Sequence, residues 1–167
     1  VLMLPLSGCG QKEQEQDSED PNAATASVEA SEPNQAMLIR PGGGVGKVDL
    51  GMSVDEVRQI LGKPDLDVTG VSIVYADQGI EVIHPNDKVH SINCVHHIDL
   101  APNVKTCPYR TPEGIGIGST EAEVIATYGE PDIRESVGTA YEIGLRFEFT
   151  DGKVSLIGVL KPWQKRN

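Results

Sequence analysis

From about residue 50 onward the chain switches between two kinds of hydrophobic spacing, and it does so twice. Val57 and Leu61 stand four apart between polar neighbours, and so do Val124 and Tyr128. That spacing puts each pair on one face of a helix. The ends of both helices are written locally. Ser53 and Thr120 can serve as N-caps, with Glu56 and Glu123 three positions on to complete capping boxes. Gly62 and Gly129 stand where a left-handed C-cap belongs, and Pro64 and Pro131 keep the helix from resuming. A helix of about nine residues is too short to persist alone, so each apolar face is predicted to lie on a sheet.

After each helix the spacing changes to alternation. Residues 71–75, 80–83 and 89–95 read as strands, divided by a turn at Asp77 to Gly79 and another at Pro85-Asn86-Asp87. Residues 139–143, 145–149 and 154–160 follow the second helix, with Asp151-Gly152 as a hairpin turn. Leu145, Phe147 and Phe149 share one face and Arg146 and Glu148 the other, the pattern of a half-buried antiparallel strand. Val89 and Ile92 have opposite parity, as do Val154 and Ile157. The third strand is therefore either covered on both faces or bulged.

The two series match residue by residue. Gly51-Met52-Ser53-Val54-Asp55-Glu56-Val57 through Leu61-Gly62-Lys63-Pro64-Asp65 recurs 67 positions later as Gly118-Ser119-Thr120-Glu121-Ala122-Glu123-Val124 through Tyr128-Gly129-Glu130-Pro131-Asp132. Asp87-Lys88-Val89 and Ile92 recur 65 positions later as Gly152-Lys153-Val154 and Ile157. The reading is an α+β fold made by tandem duplication of a helix followed by three antiparallel strands. The two sheets are expected to lie adjacent, with the short helices packed on one face. Residues 41–100 form the first repeat, 101–112 a connector and 113–167 the second repeat.

Composition limits what such a fold can do. Hydrophobic residues make up 38% of the 167 and aromatics only 4%, so the core is built from Val, Ile and Leu. The net charge is -11, and between residues 11 and 36 seven acidic side chains face Lys12 alone. An acidic chain with no basic patch is not a nucleic-acid binder, because that affinity rests on neutralising phosphates. Attraction to an anionic bilayer through surface charge is disfavoured for the same reason, so membrane contact needs a hydrophobic anchor. Residues 10–40 are read as a disordered acidic tether, too poor in large apolar side chains to offset their ordering entropy.

Ahead of the tether, Leu6-Ser7-Gly8-Cys9 resembles the lipobox of bacterial lipoproteins, and residues 1–9 are read as a truncated signal peptide ending in that motif. The basic n-region and longer h-region of a full signal are missing from this stretch. The resemblance implies a lipid on Cys9 and a place in the cell envelope. Gly10, being other than Asp, resembles the sorting rule for the outer membrane in Gram-negative lipoproteins. The lipobox, the tether and the Gly-Met-Ser-x-x-Glu-Val...Leu-Gly-x-Pro helix with its three strands together resemble the SmpA/OmlA lipoprotein family. Two such units in tandem also resemble the β-lactamase inhibitory protein architecture. The resemblance covers residues 48–95 and 115–160 and transfers no partner-contacting residue.

Several constellations carry less. Pro41-Gly42-Gly43-Gly44-Val45-Gly46-Lys47 lacks phosphate-loop spacing and the Ser or Thr after the Lys, and reads as a flexible lead into the first repeat. Gly114, Gly116 and Gly118 could present N–H groups to an anion before the second helix, but no Rossmann strand or ribose-binding acid follows. Cys94, His96, His97 and Cys107 are the clustered soft ligands. Their spacing is tighter than zinc sites use, and a disulfide between Cys94 and Cys107 across the connector is the better reading. Glu56, Glu123, Asp65 and Asp132 all have local structural jobs rather than catalytic ones. His84 and His90 read as surface residues, and Trp163 as packed on the last strand or as an interface anchor.

The expected function is that of a membrane-anchored envelope lipoprotein, non-catalytic and without cofactor, that binds another envelope protein through its sheet or the seam between copies. The alternative is a binding protein for a small anionic ligand at the two helix N-termini.

Overall fold

The computed structural model describes residues 37–96 and 103–164. Cys9, the tether up to residue 36 and His97 lie outside the described residues. Before the first helix, β1 (Ile39–Arg40), β2 (Gly44–Val45) and β3 (Val48–Asp49) form a small antiparallel sheet. The glycine-rich stretch read as a flexible lead is thus ordered structure. Arg40 holds it, donating to the Gly46 carbonyl at 2.5 Å and pairing with Asp49. Ile39, assigned above to the end of the tether, is completely buried.

Helix α1 (Val54–Leu61) is followed by β4 (Leu66–Val68), β5 (Ser72–Tyr75), β6 (Ile80–Ile83) and β7 (Ser91–Val95). Helix α2 (Glu121–Tyr128) is followed by β8 (Ile133–Arg134), β9 (Gly138–Tyr141), β10 (Leu145–Thr150) and β11 (Lys153–Leu160). The class is α+β, with two helices and two sheets. Each helix leads into four strands rather than three, the first of each set being short. All eight join one antiparallel sheet in the order β4-β5-β6-β7-β11-β10-β9-β8, where two adjacent sheets were expected. The joint is the pairing of β7 with β11, which sets Ser91 opposite Leu160 and Val95 opposite Leu156.

Both capping boxes are formed. Ser53 accepts from the Glu56 N–H while the Glu56 side chain accepts from Ser53, and Thr120 and Glu123 do the same. The C-cap glycines have φ of 86° and ψ of -157° at Gly62 and φ of 80° and ψ of -165° at Gly129, not the left-handed helical cap expected but a conformation that a Cβ would strain still more. Asp65 and Asp132 have matching tasks, their Oδ2 atoms each accepting at 2.8 Å from the N–H of Ala76 and Glu142 respectively. Gly51 donates to the Val89 carbonyl and Gly118 to the Val154 carbonyl, both at 2.8 Å.

The parity conflict of the third strand is resolved differently in the two places. Val89 precedes β7, and its N–H donates instead to the Met52 carbonyl at 2.8 Å. In β11 the register shifts against β10, so that Phe149 faces Val154 but Glu148 faces Leu156, and Ser155 is the bulged residue.

One core lies on one face of the large sheet. Val54 and Val57 of α1 and Val124 of α2 cluster with Ile73, Ile80, Val82, Ile92, Leu145, Phe147, Ile157 and Val159. Ile39, Val45 and Val48 of the small sheet belong to the same cluster. Burying each such Val, Ile or Leu contributes about 1.5–3 kcal/mol. Tyr128, Tyr141 and Phe147 add mutual ring contacts at centroid distances of 5.6–5.9 Å.

Candidate functional site

Alternation along the strands turns the remaining side chains to the opposite face, over which neither helix packs. The register lines them up in a row that crosses all eight strands: Leu66, Val74, Glu81, Asn93, Gly158, Arg146, Ala140 and Ile133. The row is polar in the middle and apolar toward its two ends, where Val74 and Ala140 are buried at 1% and 5% exposure and Ile133 is exposed. Asn93 Nδ2 donates to Glu81 Oε2 at 3.1 Å, and Arg146 pairs with Glu148 at 2.5 Å and Glu135 at 3.0 Å. Burial acts to lower the Arg146 pKa, and the two carboxylates together outweigh it, so the net shift is upward. Half-buried Val68, Ile83, Leu156 and Leu160 flank the row.

Gly158 sits at the midpoint, between Asn93 and Arg146. A Cβ built there meets Asn93 Oδ1 at 3.4 Å and the Arg146 Cβ at 3.5 Å, ordinary contact distances. The surrounding chain therefore does not demand a glycine. A glycine inside a strand weakens it, and Gly158 is itself buried. Neither Gly158 nor Asn93 was singled out from sequence. The only signal was a glycine inside an otherwise apolar strand.

The helix N-termini are differently occupied. Glu56 Oε2 accepts from the Ser53 N–H at 2.7 Å, and Glu123 Oε2 accepts from the Thr120 N–H at 2.6 Å. With Asp55 and Glu121 also in the first turns, both ends are already negative, and the geometry lends no support to an anion site there. Gly118 of the Gly-x-Gly-x-Gly run donates to Val154, and Gly116 donates to Ser119 Oγ at 3.2 Å.

Cys94 and Cys107, the pair expected to be bridged, are both buried and adjacent but unbridged in this structure, the Cys94 sulfhydryl in hydrogen-bond contact with Cys107. Burial first, and that contact second, push the Cys94 thiol well above its ordinary pKa. His96 turns away from them, its Nδ1 lying 2.8 Å from Thr106 Oγ1. Among the described residues no group of three or more His, Cys, Asp or Glu could hold a metal. His84 departs from the surface position expected of it. It is only 2% exposed, and among the described residues neither ring nitrogen has a hydrogen-bond partner. His90 is exposed, and Trp163 is half-buried, its backbone N–H donating to the Glu142 carbonyl at 3.1 Å.

Clefts on the described surface include one of about 540 Å³ lined by His96, Ile117, Thr150, Asp151 and Lys153, one of about 410 Å³ lined by Arg58, Gly62, Lys63, Pro64 and Asp67, and one of about 230 Å³ lined by Glu121, Arg134, Ser136, Thr139 and Phe149. No helix among the described residues is long and apolar enough to cross a membrane.

No family model matches the chain, and no curated protein matches it either. Among solved structures it is similar to a cysteine-rich secretory protein from Staphylococcus aureus, at 17% identity and a TM-score of 0.39. That similarity covers 77% of this chain and 48% of the other, so the chain spans about half the length of the structure it matches.

Proposed function

We propose that the chain is a non-catalytic docking module for another protein of the cell envelope, held at a membrane by lipid on Cys9. The observation that carries this reading is the face of the eight-stranded sheet opposite both helices. It presents a polar centre at Glu81, Asn93 and Arg146 between half-buried apolar flanks, the mixture that non-obligate protein interfaces use.

In this reading the sheet arose by duplication. The four-strand sets follow matching helices, the capping boxes and the Asp65 and Asp132 contacts recur at equivalent positions, and the halves meet at β7 and β11. The likeness of the repeated helix motif to SmpA/OmlA lipoproteins, and of the tandem arrangement to β-lactamase inhibitory protein, agrees with a binding role and with an envelope address. An outer-membrane location follows if the source is Gram-negative.

A photo-crosslinking amino acid placed at Leu156 or Leu160 tests the proposal, with Gln59 and Ala126 on the exposed sides of the helices as controls. In intact envelopes the two sheet positions are expected to capture one dominant protein and the helix positions none. Capture only from the helix positions overturns the proposed face. An anchor on Cys9 is tested separately, by palmitate-analogue labelling that is lost in Cys9→Ser.

A further inference from the structure

We propose that Cys94 and Cys107 are joined by a disulfide made while the chain folds, and that it fastens the segment linking the two halves to the strand at their junction. This does not depend on what the sheet face binds.

Cys94 lies on the core side of β7, paired in register with Ile80 on one side and with Ile157, across the junction, on the other. Cys107 is brought beside it by contacts that do not involve sulfur. Its N–H donates to the Val95 carbonyl at 3.0 Å, and the Lys105 N–H donates to the Ala76 carbonyl at 2.8 Å. The Tyr109 hydroxyl donates to Gln78 Oε1 at 3.1 Å on the other side. Gly79 makes the approach possible. A Cβ at that position would stand 2.4 Å from the Cys107 nitrogen and 2.7 Å from its Cα. The linking segment is thus seated on both sides of Cys107 before any bridge is made. The two sulfurs meet inside the core, at 0% and 4% exposure.

That burial dictates the order of events. Thiol–disulfide exchange needs an accessible thiolate, and the closed fold keeps the Cys94 sulfur protonated and covered. The bridge must therefore form before the core closes. With a disulfide oxidant such as oxidised glutathione, one cysteine thiolate attacks and expels a glutathione thiolate, leaving a mixed disulfide. The second cysteine thiolate attacks the protein sulfur of that bond and expels the other glutathione. The two thiol protons end on the two glutathione molecules. Two protein thiols are oxidised and one glutathione disulfide is reduced.

The test uses the full chain carrying Cys9→Ser, so that two thiols remain. Denatured, reduced protein is refolded either in a glutathione redox buffer or in reductant alone, then unfolded in iodoacetamide and weighed intact. Refolding with the oxidant is expected to give a chain lighter by two hydrogens, with no alkylation and a melting temperature roughly 5–15 °C above that of the reduced form. Protein folded first in reductant and then given oxidised glutathione is expected to stay reduced. Two alkylated thiols after refolding with oxidant, or a zinc adduct in the native mass, overturn the bridge. Rapid oxidation of the already folded protein overturns the proposed order.

Discussion

The Tyr141 hydroxyl donates to the Gly129 carbonyl at 3.2 Å, tying the end of α2 to β9. Tyr75 makes the matching bond to the Gly62 carbonyl at 3.1 Å, tying α1 to β5. Each serves a carbonyl that the end of the helix leaves open. Tyr75→Phe and Tyr141→Phe should each cost about 1 kcal/mol, with the two losses adding in the double variant because the sites share no partner. Urea titration followed by circular dichroism measures both. A loss in only one of the two would show that the bonds are not equivalent.

Glycines with positive φ should divide into two groups. At Gly152, with φ of 72°, a Cβ meets nothing within 4 Å, so Gly152→Ala bears only the backbone strain, about 1–2 kcal/mol. At Gly79, with φ of 63°, a Cβ would stand 2.3 Å from the Lys105 carbonyl oxygen as well. Gly79→Ala should therefore lose about 3 kcal/mol or more, since the linking segment has to move off the sheet. Thermal melts of the two variants beside the wild type settle the comparison. Equal losses would mean that the close approach at Gly79 is readily relieved.

The helix caps make stability depend on acid. Acceptance from the Ser53 hydroxyl, then from its N–H, holds the Glu56 carboxyl below its ordinary 4.5. For Glu123 the Thr120 N–H comes first and the hydroxyl second. A carboxyl lowered on folding stabilises the fold above its unfolded pKa and loses that contribution as pH falls through the folded value. The melting temperature should hold from neutrality to about pH 5 and then fall. The Glu56→Gln/Glu123→Gln variant should start lower and fall less, approaching the wild type in acid. Parallel curves for the two proteins would remove the caps as the cause.

Both helices were legible because their signals are local. Ser53 to Glu56 and Thr120 to Glu123 are contacts three residues apart, and Gly62 and Gly129 mark the stops in place. The strands from Ile80 to Ile83 and from Leu145 onward were legible for the same reason, their alternation being complete in itself. β4 and β8 were not, since their pairing and charges answer to partners elsewhere. Asp67 meets Arg58 of α1 at 2.7 Å, and Arg134 meets Glu121 of α2 at 3.5 Å. The small sheet was hidden because glycines that read as a loop are what let β1, β2 and β3 turn so tightly. The union of two four-strand sets into one sheet rests on the meeting of Cys94 with Ile157 and Ile92 with Val159. Nothing within either strand announces that partner. The sequence pointed only to the sheet or the seam between copies, and the row from Leu66 to Ile133 emerged from the register.

The outermost strands are the shortest of the large sheet, three residues in β4 and two in β8. Each carries a charged side chain bound to the helix beside it. Joining the halves at β7 and β11 places both of those strands in the interior and leaves these abbreviated strands as the edges of the large sheet. Strand-by-strand growth needs a long, flat, uncharged border, and neither margin provides one. Neither edge of the large sheet therefore offers a template on which a second copy could extend it.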